Sequence, residues 1–210
     1  MLLRNIRDCY SKVFRMSRVP NPAKAAIREE IEKRLATLTN EEKKRQSDIV
    51  FNKLIKHPFY KSANRISVFM STPTEVDTAP IIEHVKAKGG QVFVPQYAGG
   101  VMKMLKLETG DERDMPATRH GIRQHAKHAP REDALEKGLD LIIAPGVAFS
   151  QDGGRVGHGG GYYDRYISNL RSHPGTAPKI LAVAFKCQVL DDVPMDESDQ
   201  RIDEVLFSED

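Results

Sequence analysis

Apolar positions along this chain switch between two rhythms, one with the spacing of a helix face and one with the alternation or short continuous run of a strand. Helical spacing predicts a helix over 22–37, with Asn21 as N-cap and Pro22 as its first residue. Thr39-Asn40-Glu41-Glu42 reads as a capping box opening a second helix to about His57, with Pro58 just beyond. A short apolar strand is expected over 65–70, then a polar loop over 71–77. Thr78 is expected to cap a helix through Ala87, which Gly89-Gly90 ends. Residues 91–95 form the next strand, and 101–107 alternate with period two, as an edge strand would. The stretch 108–137 is mixed and loop-rich. Strands buried on both faces are expected over 139–144 and 179–185. A helix is expected from about Tyr162 to Arg171, and one more short strand over 204–207.

Strands separated by helices imply right-handed crossovers. The expected fold is therefore α/β, a three-layer Rossmann-like mostly parallel sheet with helices on both faces. Ligands in such sheets sit beyond the carboxyl ends of the strands. That rule selects the loops after Met70, Ala144 and Phe185.

Composition narrows the class without changing the picture. The 210 residues suit one domain, and a 40% hydrophobic share with 29% charged residues is ordinary for a globular chain. No apolar run approaches the roughly 20 residues a membrane helix needs. Cys9 and Cys187 stand at opposite ends, which is neither a disulfide framework nor a zinc spacing. The net charge of +3 conceals a gradient: residues 1–20 carry +4, residues 191–210 carry −8, and the middle carries +7. Its basic residues are dispersed, which suits a small polyanionic ligand or a plain solvated surface better than nucleic acid.

Residues 1–20 read as an extension separate from the domain at 21–210. Arg4, Arg7, Lys12, Arg15 and Arg18 interleave with apolar residues, and Asp8 is the one acid. That character fits a mitochondrial transit peptide or, equally, a simple N-terminal extension. The expected compartment is the cytoplasm, with the mitochondrion as the alternative.

The chemistry concentrates in one segment. Of the 15 glycines, seven lie between Gly146 and Gly161. Glycine at this density weakens regular structure. It also lets backbone N–H groups approach phosphate oxygens, and a loop of this kind entering a helix N-terminus makes an anion site. Arg155 can add a charge-assisted contact, and Asp164 could hold a magnesium ion. The spacing is neither that of a Walker loop nor GxGxxG, so glycine content alone leaves a flexible surface loop open.

The string Arg155-Val156-Gly157-His158-Gly159-Gly160-Gly161-Tyr162-Tyr163-Asp164, preceded by Pro145-Gly146-Val147-Ala148-Phe149, closely resembles the motif of the 5-formyltetrahydrofolate cyclo-ligase family. Lys24-Ala25-Ala26-Ile27-Arg28, the stretch 67–76 ending in Thr74-Glu75-Val76, and the segments 182–186 and 197–205 extend the resemblance over residues 23 to about 207. It implies a fold related to sugar-phosphate isomerases and CoA transferases. It implies ATP-dependent ring closure of 5-formyltetrahydrofolate to 5,10-methenyltetrahydrofolate through phosphorylation of the formyl oxygen. By matching position, Lys24, Ala25, Ala26, Ile27 and Arg28 would bind ATP, together with Arg155, Val156, Gly157, His158, Gly159, Gly160, Gly161, Tyr162 and Tyr163. Met70, Glu75, His120 and residues 158–162 would bind the folate, which could carry a polyglutamate tail. Asp164 and Asp199 would be magnesium positions. No nucleophilic residue is implied, since the protein's task is positioning and charge neutralisation. A monomer without nucleic acid or membrane partners is expected.

Two departures from the family pattern are visible. His120 stands where the family often has Trp, and His125 where Pro is common. His120, His125 and His128 could suggest a metal cluster, but no Cys or acid completes the set. The competing readings are a sugar-phosphate isomerase or transferase on a similar fold, and a folate or nucleotide binder without activity.

Overall fold

The computed structural model describes residues 21–118, 121–172 and 177–209. Residues 1–20, and with them the expected extension, lie outside that set.

Helix α1 (Pro22–Ala36) starts as its sequence predicts. Asn21 lies extended and its side-chain oxygen accepts from the N–H groups of Ala23 and Lys24, with Pro22 at the first helical position. Helix α2 (Asn40–Leu54) departs from expectation at both ends. Thr39 accepts from the Glu42 N–H, but the Glu42 carboxylate binds Arg45 and Gln46 instead of reaching back, so only half of the capping box forms. The helix stops at Leu54, and Pro58–Ser62 form a separate short helix α3. Pro58 explains the break. It occupies the first turn of α3, where no N–H is needed, and the His57 ring accepts from Phe59 N–H as a cap.

Strand β1 (Arg65–Val68) leads through a loop to helix α4 (Ala79–Ala87). Thr78 precedes α4 without capping it, because its hydroxyl donates to the Phe69 carbonyl and so fastens the loop to the strand end. Strands β2 (Gln91–Ala98) and β3 (Val101–Lys106) form an antiparallel hairpin, and β2 runs three residues past the predicted end. A four-residue helix α5 (Asp111–Asp114) follows, then β4 (Leu141–Ala144). Asp140 stays outside β4, where its carboxylate accepts from the Asn64 and Arg65 N–H groups.

The predicted glycine-rich loop is only partly a loop. Strands β5 (Ala148–Ser150) and β6 (Arg155–Val156) pair antiparallel inside it. Gly153 turns that hairpin at φ 92°, and an added Cβ would collide with the Ile202 carbonyl oxygen, so no side chain fits there. Helix α6 (Tyr162–Arg171), β7 (Lys179–Val183), β8 (Val189–Leu190) and β9 (Glu204–Leu206) complete the chain.

Six strands form the main sheet in the order β3-β2-β1-β4-β7-β9, all parallel except the β2–β3 pair. Alternate residues divide it into two faces. Ile66, Val68, Val92, Val94, Leu141, Ile143, Leu181 and Val183 join side chains of α2, α3 and α4 in one core. Phe93, Ile142, Ala144, Ile180 and Ala182 meet Tyr163, Tyr166, Ile167 and Leu170 of α6 in the other. The expected three-layer α/β arrangement is therefore present. A small second sheet, ordered β6-β5-β8, packs its Ala148 and Val156, with the adjoining Val147, against Ile31 of α1.

The acidic C-terminal stretch folds back into the body. Ile202 and Val205 are in the core, and Asp203 accepts from the Ile180 N–H.

Candidate active site

The carboxyl ends of β1, β2 and β4 converge with the N-terminal half of α1. Gly161 adopts a left-handed conformation (φ 62°) at the start of α6 and has no side chain to cap it. The first amides of α6 are thus left to solvent or a ligand, with the helix dipole behind them.

Helix α1 brings two cations to this place, one turn apart. Arg28 donates from Nε to the Gly157 carbonyl at 2.8 Å, and its guanidinium lies against Gly159. Lys24, which an isolated helix would leave exposed, is buried. Its ammonium pairs with Asp196 at 2.7 Å and with Asp199. Ala25 and Ala26 are exposed, and Ile27 packs beside Ile31.

Arg155 and Asp164 form a buried ion pair. Nη2 of Arg155 donates to Asp164 Oδ1 at 2.7 Å, and the side chains are 3% and 10% exposed. The same Oδ1 accepts from the Gln200 N–H, which ties the residue after Asp199 to α6. Arg155 Nη1 donates to the Pro145 carbonyl, while Arg155 Nε is buried with no partner among the described residues and the buried Tyr163 hydroxyl lies beside that of Tyr97. Val156 is buried in β6, whereas His158, Gly159 and Gly160 form an exposed bend leading to Gly161 and Tyr162.

Glu75 reaches this bend from the loop after β1. Its Oε2 accepts from the Thr72 N–H and hydroxyl, both at 2.8 Å, and its Oε1 stands 3.8 Å from His158 Nε2. Met70, at the head of the same loop, is half-buried on the core. His120 lies outside the described residues. His125 is buried, with its Nε2 3.1 Å from the Lys106 carbonyl oxygen, and no metal-holding group of His, Cys, Asp or Glu occurs among the described residues.

Two residues that sequence reasoning missed belong to this surroundings. Tyr97 packs edge-on against Tyr162, with ring centroids 5.0 Å apart. Burial pushes its hydroxyl pKa up, and the negative charge of Glu75 adds to that. Had β2 been extended past Pro95, the strand-end rule would have found it. Asp196 carried no sequence signal apart from its place in an acidic stretch.

Fold and site together define an α/β protein with an anion-seeking helix start, two basic residues on α1 and an acidic loop across from them. Comparison with known proteins agrees. The model of the 5-formyltetrahydrofolate cyclo-ligase family matches residues 20–208. The 5-formyltetrahydrofolate cyclo-ligase of Mus musculus is 39% identical over 193 residues, covering 90% of this chain and 95% of its own. The mitochondrial 5-formyltetrahydrofolate cyclo-ligase of Arabidopsis thaliana is 26% identical, covering 87% and 73%. The NMR structure of Aquifex aeolicus 5,10-methenyltetrahydrofolate synthetase superposes with a TM-score of 0.72 at 25% identity, covering 87% of this chain and 88% of that one. The chain belongs to the 5-formyltetrahydrofolate cyclo-ligase family, and it is a ligase.

The named side chains comprise three cations (Lys24, Arg28, Arg155) and four carboxylates (Glu75, Asp164, Asp196, Asp199). No group of three His, Cys, Asp or Glu side chains that could hold a metal by itself occurs among the described residues. The donor set instead suits a hard cation held by one or two carboxylates, with phosphate oxygens and water completing the shell. Asp164 and Asp199 offer such oxygens, and in this structure each is paired with a cation of the protein.

Proposed function

We propose that this chain uses Mg-ATP to convert 5-formyltetrahydrofolate to 5,10-methenyltetrahydrofolate, at the surface where α1, the loop after β1 and the segment 155–164 meet. The carrying observation is that convergence: Lys24 and Arg28 lie on one side of the glycine segment, and Glu75 lies within 3.8 Å of His158 in it. Lys24 through Arg28, the backbone of 155–163 and the start of α6 take the phosphates of ATP. Met70, Glu75 and residues 158–162 face the folate, and the family resemblance adds His120. Glu75 supplies an acceptor for pterin N–H groups, and Thr72 holds it in place.

A formamide oxygen is a poor leaving group. The formyl oxygen takes the γ-phosphoryl group, forming a P–O bond as the bond to ADP breaks. The nitrogen at position 10 then attacks the formyl carbon and gives up its proton to solvent, and phosphate leaves with the former formyl oxygen. The protein neutralises the phosphates and aligns the two substrates. Asp164 and Asp199 would hold magnesium, which supplies charge neutralisation at the phosphates. A monomer acting in the cytoplasm is our reading. The name of the Arabidopsis relative and the basic character of residues 1–20 support mitochondrial import as the alternative, which fractionation of a tagged full-length chain decides. No helix of the described residues is long and apolar enough to cross a membrane.

The test is calorimetric. Arg28→Met should weaken ATP binding and leave 5-formyltetrahydrofolate binding within twofold. Unchanged ATP affinity would remove α1 from the nucleotide site.

A further inference from the structure

The pairing of Lys24 carries an inference about Asp196, resting on the reading of Lys24 as a phosphate ligand. An ammonium has three N–H donors. Two of them go to Asp196 and Asp199, and the side chain is only 8% exposed. Asp196 is itself held: its Oδ1 accepts from Asn21 Nδ2 at 2.8 Å, and its backbone N–H donates to Asp199 Oδ2 at 2.6 Å. One helix start, one lysine and one turn of the C-terminal stretch are thus locked together. The cation offered to a phosphate is covered and held by two carboxylates.

We propose that Asp196 makes nucleotide binding conditional on the divalent cation. A free triphosphate must compete with two carboxylates for Lys24 while being repelled by them. A nucleotide arriving with its cation meets a different balance. The cation draws Asp199 to itself, and Lys24 is left with one carboxylate and donors to spare. Asp196 thereby discriminates against metal-free nucleotide, the form that cannot react usefully. Its side chain is 40% exposed, so its amide variant should fold.

The experiment titrates ATP into the full chain by calorimetry, once in excess EDTA and once in excess magnesium. Asp196→Asn should bind metal-free ATP about tenfold more tightly than the parent, while its affinity for Mg-ATP moves by less than about threefold. Asp196→Glu, which keeps the charge, should behave like the parent, and thermal unfolding checks that both variants are folded. Lys24→Met should weaken both nucleotide forms, and in the Lys24→Met background Asp196→Asn should retain less than half of its gain on a logarithmic scale. If Asp196→Asn binds metal-free ATP no better than the parent, or worse, the inference is overturned and Asp196 merely aims Lys24. If Lys24→Met leaves both affinities unchanged, the phosphate role of Lys24 is what fails.

Discussion

Asp164→Asn makes the sharpest demand on the described site. Asp164 is the one anion paired with Arg155 among the described residues, and both side chains are at least nine-tenths buried. Removing one charge of a buried pair strands the other, at a cost of about 3–5 kcal/mol. The asparagine oxygen can still accept from Arg155 and from the Gln200 N–H, as Asp164 Oδ1 does now, which places the cost at the lower end. With a urea m-value of about 2 kcal/mol/M, a loss of about 3 kcal/mol moves the unfolding midpoint down by about 1.5 M. The sequence alone suggests a different outcome, lost turnover in an intact fold, because burial of the pair is invisible there. Far-UV circular dichroism is the suitable probe, since the chain has no Trp. Adding Arg155→Met should restore part of the midpoint, because methionine removes the stranded charge, while turnover stays lost. A midpoint within about 0.3 M of the parent for Asp164→Asn alone would refute the buried-pair reasoning, with roughly 2 kcal/mol/M again converting urea to energy.

Three further outcomes are expected. Glu75→Ala should weaken folate binding by about 1.5–3 kcal/mol, roughly ten- to 150-fold, and ATP binding far less; equal loss of both by calorimetry would assign Glu75 another role. The Arg131 guanidinium beside Asp111 holds that carboxyl down at about 2, so its contribution to stability is present above the unfolded carboxylate value near 4 and is lost as pH falls toward 2. Urea midpoints measured from pH 5 to 2 should therefore fall less steeply for Asp111→Asn than for the parent, and parallel curves would contradict this. Deleting residues 1–20 should leave turnover near that of the full chain, since the Asn21 cap of α1 is retained, whereas deletion through Arg28 should abolish it; loss of turnover in a folded shorter deletion would make the extension part of the enzyme.

The central sheet was legible because its strands are short apolar runs bounded by helix starts, and a strand buried on both faces needs little else. The start of α1 and that of α6 were legible for local reasons: an Asn-Pro pair in one case and a glycine run ending at Tyr162 in the other. The β5–β6 hairpin was hidden by the same glycines that mark the site, since two- and three-residue strands have no measurable period. Residues 24, 75, 155 and 164 could be named as a set only through family resemblance. The pairings of Lys24 and Glu75 could not, because each joins segments far apart in the chain: Lys24 reaches Asp196, and Glu75 reaches His158. Tyr97 escaped because β2 continues through Pro95, a residue that sequence reasoning takes as a strand end.

The most direct measurement of the proposed activity follows products in one reaction. Purified full-length chain is mixed with 5-formyltetrahydrofolate, ATP and magnesium, the near-ultraviolet band of the methenyl product is recorded, and ADP is quantified in the same samples. One ADP for each methenyl product, with neither formed when ATP is omitted or EDTA is in excess, is the predicted result. Methenyl product at full rate without ATP, or ADP released without ring closure by folded protein, would contradict it.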